Sequence, residues 1–202
     1  LIHNWINPNF LIKSNDIATK KIFKILWIGR IVPWKGLDVL IKIAKELKNN
    51  DFGYFAIDVF GDFNELDYKE SLLGMIEELD LNGIFDFKGF KMFEDINYQD
   101  YDVYIHTSKK PEPFGRTIIE NMLVEIPVCA TSMGGVLDII KHKNNGILYD
   151  VKNYQEIVFM LKKLRDDVSF KNKLIFNAKK TIEEKFSGDL QIKEIEKIYE
   201  RI

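Results

Sequence analysis

The stretch "FKILWIGRIVPWKGLDVLIKIAKEL", Phe23 to Leu47, decides the fold. Its first six residues are mostly apolar and form a run of the right length for one buried strand. "GLDVLIKIAKEL" then sets Leu37, Leu40, Ile41, Ala44 and Leu47 at helical spacing. A strand that passes through a short loop into an amphipathic helix is the building unit of a parallel sheet covered by helices.

The same unit recurs downstream. "FAIDVF" reads as a strand, "ELDYKESLLGMIEEL" as a helix, and "IFDFKG" and "DVYIHT" as strands. "GRTIIENMLVE" reads as a helix, "PVCAT" as a strand, "GGVLDII" as a short helix and "GILY" as a last strand. From Asn153 the chain is helical and lysine-rich, with apolar stripes in "EIVFMLKKLRDD", "FKNKLIFNAKKTIEEKF" and "LQIKEIEKIYERI" and a break at Gly188. The expected class is α/β, a Rossmann-like, mostly parallel sheet with helices on both faces and no internal repeat.

Composition sets the bounds. The chain has 202 residues, 46% hydrophobic and 30% charged, enough for one α/β domain. Its formal net charge of −2, with acids and bases interspersed, argues against a general nucleic-acid surface. The single cysteine, Cys129, sits inside "IPVCAT" and reads as a buried small hydrophobe in a reducing compartment. No apolar run approaches the roughly 20 residues that span a bilayer, so the expected location is cytoplasmic. The chain opens at Leu1 with "LIHNWINPNF" and reads as a piece of a longer protein.

In open parallel sheets, ligands sit beyond the carboxyl ends of the strands, so the loops leaving each strand carry the chemistry. After the first strand, "GRIVPWKG" offers Arg30 and Lys35 between Gly29 and Gly36, which taken alone reads equally as a solvated basic loop or as cations suited to an anion such as a diphosphate. The run matches neither a P-loop nor a dinucleotide fingerprint. "VFGDFNE" leaves the second strand and by itself is a turn. "SKKPEPFGRTIIE" puts Glu112 in a loop, with Gly115, Arg116 and Thr117 opening a helix whose backbone N–H groups favour anions. Glu120 falls off the core stripe of Ile118, Ile119, Met122 and Leu123, and the plain alternative for it is a surface pair with Arg116. "TSMGGVLDII", with Gly134 and Gly135, reads as a second anion-facing loop or, taken alone, more simply as a tight strand-to-helix connection. His106 reads as a packed residue, and the "DYD" at Asp100 to Asp102 as a loop cap before a strand.

Together these segments resemble the carboxyl-terminal, nucleotide-sugar-binding domain of a GT-B retaining glycosyltransferase of the family 4 type. "IGRIVPWKG" resembles that family's Gly-Arg-x4-Lys-Gly loop, "VFGDFNE" its Gly-x-Gly-like turn, "FKGF" its base-edging segment and "EPFGRTIIE" its paired-glutamate motif. The resemblance spans roughly Asn4 to Leu148. It departs at Phe63, where many relatives keep a second glycine, and at the two lysines before Pro111.

The resemblance implies one half of a GT-B enzyme, with residues 1–15 as an interdomain linker, 16–202 as the nucleotide-sugar-binding domain, and the acceptor domain absent. It implies that Arg30 and Lys35, with Gly29, hold the donor's diphosphate and that Glu112 lies at the donor sugar. Glu120 would bind the ribose hydroxyls, and Pro113, Phe114, Gly115, Arg116 and Thr117 would line sugar and phosphate. Phe90 and Lys91 would edge the base. It implies a UDP, GDP or ADP sugar as donor and a sugar or lipid-linked acceptor reached through the other half. No cofactor and no metal is implied. The lysine-rich helices from Lys162 to Lys185 permit peripheral contact with the inner face of a membrane. Two other readings fit the same residues: a GT-B-type nucleotide-sugar epimerase and a non-catalytic nucleotide-binding or scaffold module. A flavodoxin-like or receiver domain ranks last, because Arg30 stands where an acidic cluster belongs.

Overall fold

In the computed structural model of the chain, the described residues are 22–186. The proposed linker and the predicted last helix, with Leu190, Ile195, Ile198 and Ile202, lie outside them. The strands are β1 (Phe23–Ile28), β2 (Phe55–Phe60), β3 (Phe85–Gly89), β4 (Val103–His106), β5 (Val128–Thr131) and β6 (Ile147–Tyr149). The helices are α1 (Leu37–Asn49), α2 (Leu66–Glu78), α3 (Arg116–Leu123), α4 (Val136–Ile139), α5 (Gln155–Asp166) and α6 (Val168–Lys185). Every one of these matches a segment expected from periodicity.

The six strands form one sheet in the order β3-β2-β1-β4-β5-β6, and all five pairings are parallel. The chain winds outward from β1 to β3, then returns to place β4 on the other side of β1. The crevice at the ends of β1 and β4 is therefore the switch point where such sheets bind ligands.

Alternation along β1 divides the interior between two faces. Phe23, Ile25 and Trp27 pack with α1, α2 and α5, while Leu26 packs with α3, α4 and α6. The five residues whose spacing predicted α1 are all buried. Cys129 is fully buried in β5, as expected of a small hydrophobe.

Asp102 caps the amino-terminal end of the sheet. Its carboxylate accepts the Lys24 N–H at 2.9 Å and faces the Lys171 ammonium at 3.5 Å, while its own N–H donates to the Lys24 carbonyl. The "DYD" segment thus serves the fold at the edge opposite the loops that leave β1 and β4. None of the described helices is long and apolar enough to cross a membrane.

Candidate functional site

The loop after β1 is fastened to the loop after β4. The Trp27 indole N–H donates to the Thr107 hydroxyl at 2.9 Å, and that hydroxyl donates to the Lys35 carbonyl at 2.8 Å. The Lys109 N–H donates to the Trp34 carbonyl at 2.8 Å. The approach is close enough to require glycine at position 36. Its φ is 73°, and a Cβ there would lie 2.1 Å from the Thr107 carbonyl oxygen.

These ties deliver Lys35 to the sheet edge. Its Nζ lies 2.5 Å from Glu112 Oε1 and 4.4 Å from the centre of the Trp34 ring. Arg30, at the start of the same loop, is exposed, with its guanidinium 6.0 Å from the same ring centre. It has no ion-pair partner among the described residues.

Glu112 is buried, at 8% exposure, and three donors converge on its Oε1. Besides Lys35, the Ser108 hydroxyl donates at 2.6 Å and His106 Nε2 lies at 3.2 Å. Burial alone would raise the carboxyl's pKa. The hydrogen bonds from His106, Lys35 and Ser108 and the Lys35 charge overcome it and hold the pKa down at about 2. Glu112 is therefore a fixed anion at any ordinary pH.

The Glu112 backbone rests on the Gly134-Gly135 turn. The Gly135 N–H donates to the Glu112 carbonyl at 2.8 Å, and Glu112 bridges Gly134 in parallel-sheet fashion. A Cβ at Gly135 would meet the Pro113 carbonyl at 2.6 Å, and one at Gly134 would meet the Glu112 carbonyl at 2.6 Å. The double glycine is more than a tight connection. It is the surface on which the Glu112-Pro113-Phe114 loop lies.

That loop enters α3 through Gly115, whose φ of 95° lies in the left-handed region. The first-turn N–H groups of Arg116 and Thr117 have no partner within the helix, as at any helix start. Glu120 follows one turn later. Its Oε1 accepts from Arg116 Nε at 2.7 Å, so the plain pairing is realised, yet its side chain is only 12% exposed while that of Arg116 is 78% exposed. Off the stripe, then, does not mean on the surface. Burial raises the Glu120 pKa, and Arg116 offsets part of the rise.

The structure brings Lys35 and Glu112 into direct contact and sets Arg30, Gly29 and the Pro113–Thr117 segment on the loops around them. Phe90 and Lys91 lie outside this contact, beyond the end of β3. Phe90 is 66% exposed, and its N–H donates to Asp62 Oδ1 at 3.1 Å, while Lys91 Nζ lies 5.8 Å from the Phe60 ring centre. Asp62 also accepts the Ile31 N–H on its backbone carbonyl, so the "VFGDFNE" turn links the loops after β1 and β3. Phe63 packs against Phe87 with tilted rings, their centres 5.2 Å apart.

Sequence reasoning missed His106, Thr107 and Ser108 as members of the site. β4 is buried on both faces, so alternation gives no cue to which of its last residues turns toward Glu112. The only signal was position, at the end of a strand directly ahead of the loop that carries Glu112.

The family model described as glycosyl transferases group 1 matches residues 9–181. An uncharacterized glycosyltransferase of Methanocaldococcus jannaschii, MJ1607, is 32% identical over 178 residues, 87% of this chain and 44% of that protein. The capsular polysaccharide biosynthesis glycosyltransferase CapM of Staphylococcus aureus is 23% identical over 98% of this chain and 47% of its own length. The chain spans about half the length of the curated relatives it matches. Among solved structures, Anabaena HepE in complex with UDP and glucose superposes with a TM-score of 0.87 and 25% identity, covering 100% of this chain and 56% of that one. The same protein with UDP-glucose gives 0.80 at 28% identity over 89% of this chain and 49% of its own.

Proposed function

The chain belongs to the glycosyl transferases group 1 family, and on that premise we propose that it is the donor-binding half of a retaining glycosyltransferase. In this reading residues 16–202 bind a nucleotide-diphosphate sugar, residues 1–15 lead from an acceptor-binding half, and transfer requires both. The observation that carries it is the meeting of Lys35 with Glu112 at the switch point between β1 and β4, in the loop that leads to the helix start at Gly115.

Lys35 and Arg30 take the diphosphate, with the N–H groups of Arg116 and Thr117 as further donors. Lys35 then exchanges one anion for another. Glu112 lies at the donor sugar, Pro113 and Phe114 line the same pocket with Gly29 and Gly115, and Glu120 turns from Arg116 to the ribose hydroxyls. Phe90 and Lys91 edge the base. UDP in the Anabaena neighbour supports a uridine nucleotide as the donor, and the capsular role named for CapM supports a glycan as product.

The chemistry balances without a covalent enzyme intermediate. The bond between the sugar's anomeric carbon and the diphosphate oxygen breaks through an oxocarbenium-like state, and the leaving diphosphate takes up negative charge beside two fixed cations. The acceptor hydroxyl bonds the same face of the anomeric carbon and gives its proton to the departing phosphate oxygen. The enzyme works at the cytoplasmic side, where the lysine-rich helices α5 and α6 can rest on a membrane.

The test is transfer by the chain joined to its acceptor-binding half, read as the anomeric configuration of the product by NMR. Retention with release of nucleoside diphosphate is expected. Inversion, or epimerised donor formed without acceptor, would overturn the reading.

A further inference from the structure

Glu112 is fixed by groups that lie off the diphosphate loop, and their chemistry is one-directional. A carboxylate held at a pKa of about 2 has no proton to give, so His106 Nε2, 3.2 Å from Oε1, must be the donor in that contact. The Ser108 hydroxyl, 2.6 Å from Oε1 and 3.0 Å from Nε2, gives its single proton to the nearer and charged acceptor. In the neutral ring Nδ1 is then an acceptor, and the Thr131 hydroxyl at 3.3 Å is positioned to donate to it. The Tyr149 hydroxyl donates to the His106 carbonyl at 2.9 Å and holds the residue from β6.

A chain of donors therefore runs from β5 through the imidazole to one oxygen of Glu112. His106, Ser108 and Thr131 are themselves buried, at 4%, 0% and 0% exposure. All three donors to the carboxylate use Oε1, and Oε2 has no protein partner among the described residues.

We propose that His106, as its Nε2–H tautomer, with Ser108, is a positioning residue that clamps Oε1 of Glu112 and so aims Oε2 at a hydroxyl of the donor sugar. The proposal rests on the reading of Glu112 as the sugar-facing residue and extends it to the residues that make it so. Lys35 is drawn away to the diphosphate when donor binds. His106 and Ser108 then remain as the clamp on Oε1. Losing them frees the carboxylate to rotate, so the cost falls on the sugar and spares the nucleotide.

The experiment compares UDP with UDP-glucose by calorimetry on the chain and on His106→Leu, His106→Gln and Ser108→Ala. Glutamine keeps an N–H donor at the reach of Nε2 and leucine does not. Wild type is expected to prefer UDP-glucose. His106→Leu should lose about tenfold of its UDP-glucose affinity, the scale of one hydrogen bond to a charged group, and keep UDP within about twofold. His106→Gln should recover most of the loss. An unchanged ratio of the two affinities in His106→Leu, a wild type without preference for the sugar nucleotide, or glutamine performing no better than leucine would overturn the proposal.

A wild type that binds no nucleotide would instead strike at the donor-domain reading. The clamp is then judged by the imidazole nitrogen shifts of His106. Protonated Nε2 with bare Nδ1 is expected, and the opposite tautomer would contradict the clamp on its own.

Discussion

Lys35 Nζ lies 2.5 Å from Glu112 Oε1, joining two residues 77 positions apart across the crevice between β1 and β4. The pair is largely withdrawn from water, with side-chain exposures of 19% and 9%. Leaving either member alone there is costly. An incoming diphosphate supplies the lysine with a new anion, which makes the pair a natural point of exchange.

Acid should remove the stabilisation that Glu112 supplies. The folded pKa of Glu112, about 2, lies below its ordinary value of 4.5. Its contribution to stability is therefore complete above about pH 4.5 and is lost as pH falls toward 2. The size is about 3 kcal/mol at most. Urea unfolding at a series of pH values should show that loss in the wild type and a flatter profile in Glu112→Gln, which should be less stable at pH 7 by about 2–3 kcal/mol. Parallel profiles would remove Glu112 as the source.

Glu120 has the opposite sign. Burial raises its pKa, so the folded state prefers the protonated acid. Its stabilising effect is greatest below the ordinary carboxylate range and fades as pH rises through the folded pKa. Glu120→Gln should therefore be more stable than wild type at pH 7, with the gain shrinking toward pH 4. The same change should weaken nucleotide binding by about tenfold or more, through loss of charged hydrogen bonds to the ribose. Chemical denaturation and calorimetry on one preparation check both halves.

Gly135→Ala isolates the floor beneath Glu112. Gly135 has a φ of −60°, so alanine introduces no backbone strain there, and the only cost is its Cβ against the Pro113 carbonyl at 2.6 Å and Phe114 Cα at 2.9 Å. Displacing that loop should cost about 1–3 kcal/mol in stability and lower nucleotide affinity together. Gly74→Ala, in α2 with nothing within 4 Å of the new Cβ, is the control and should stabilise by up to about 1 kcal/mol. Equal behaviour of the two variants in thermal melts and binding would contradict the role given to the floor.

The elements were legible because their periodicity was clean. "FKILWI" and "FAIDVF" have the bounds of β1 and β2, and the apolar stripe of α1 is the buried one. The order of strands was not legible, because parallel strands buried on both faces read alike. The loops that carry chemistry could be named from Gly, Arg, Lys and Glu, but their contacts depend on that order. Lys35 meets Glu112 only because β4 lies beside β1. His106 stayed hidden because β4 is buried on both faces, and the burial of Glu120 was not legible because the residues before β4, Ile96 and Tyr98, pack beside α3. Tyr98, itself buried, feels the Glu120 charge.

The most direct test is calorimetric titration of the chain with UDP, GDP and ADP, repeated on Lys35→Ala. Binding of one nucleotide above the others is expected, weakened about 10- to 100-fold when Lys35 is removed, the scale of a charge-assisted contact to phosphate. Lys35→Ala that binds as tightly as wild type would contradict the account, because the diphosphate would then not be held where β1 and β4 part.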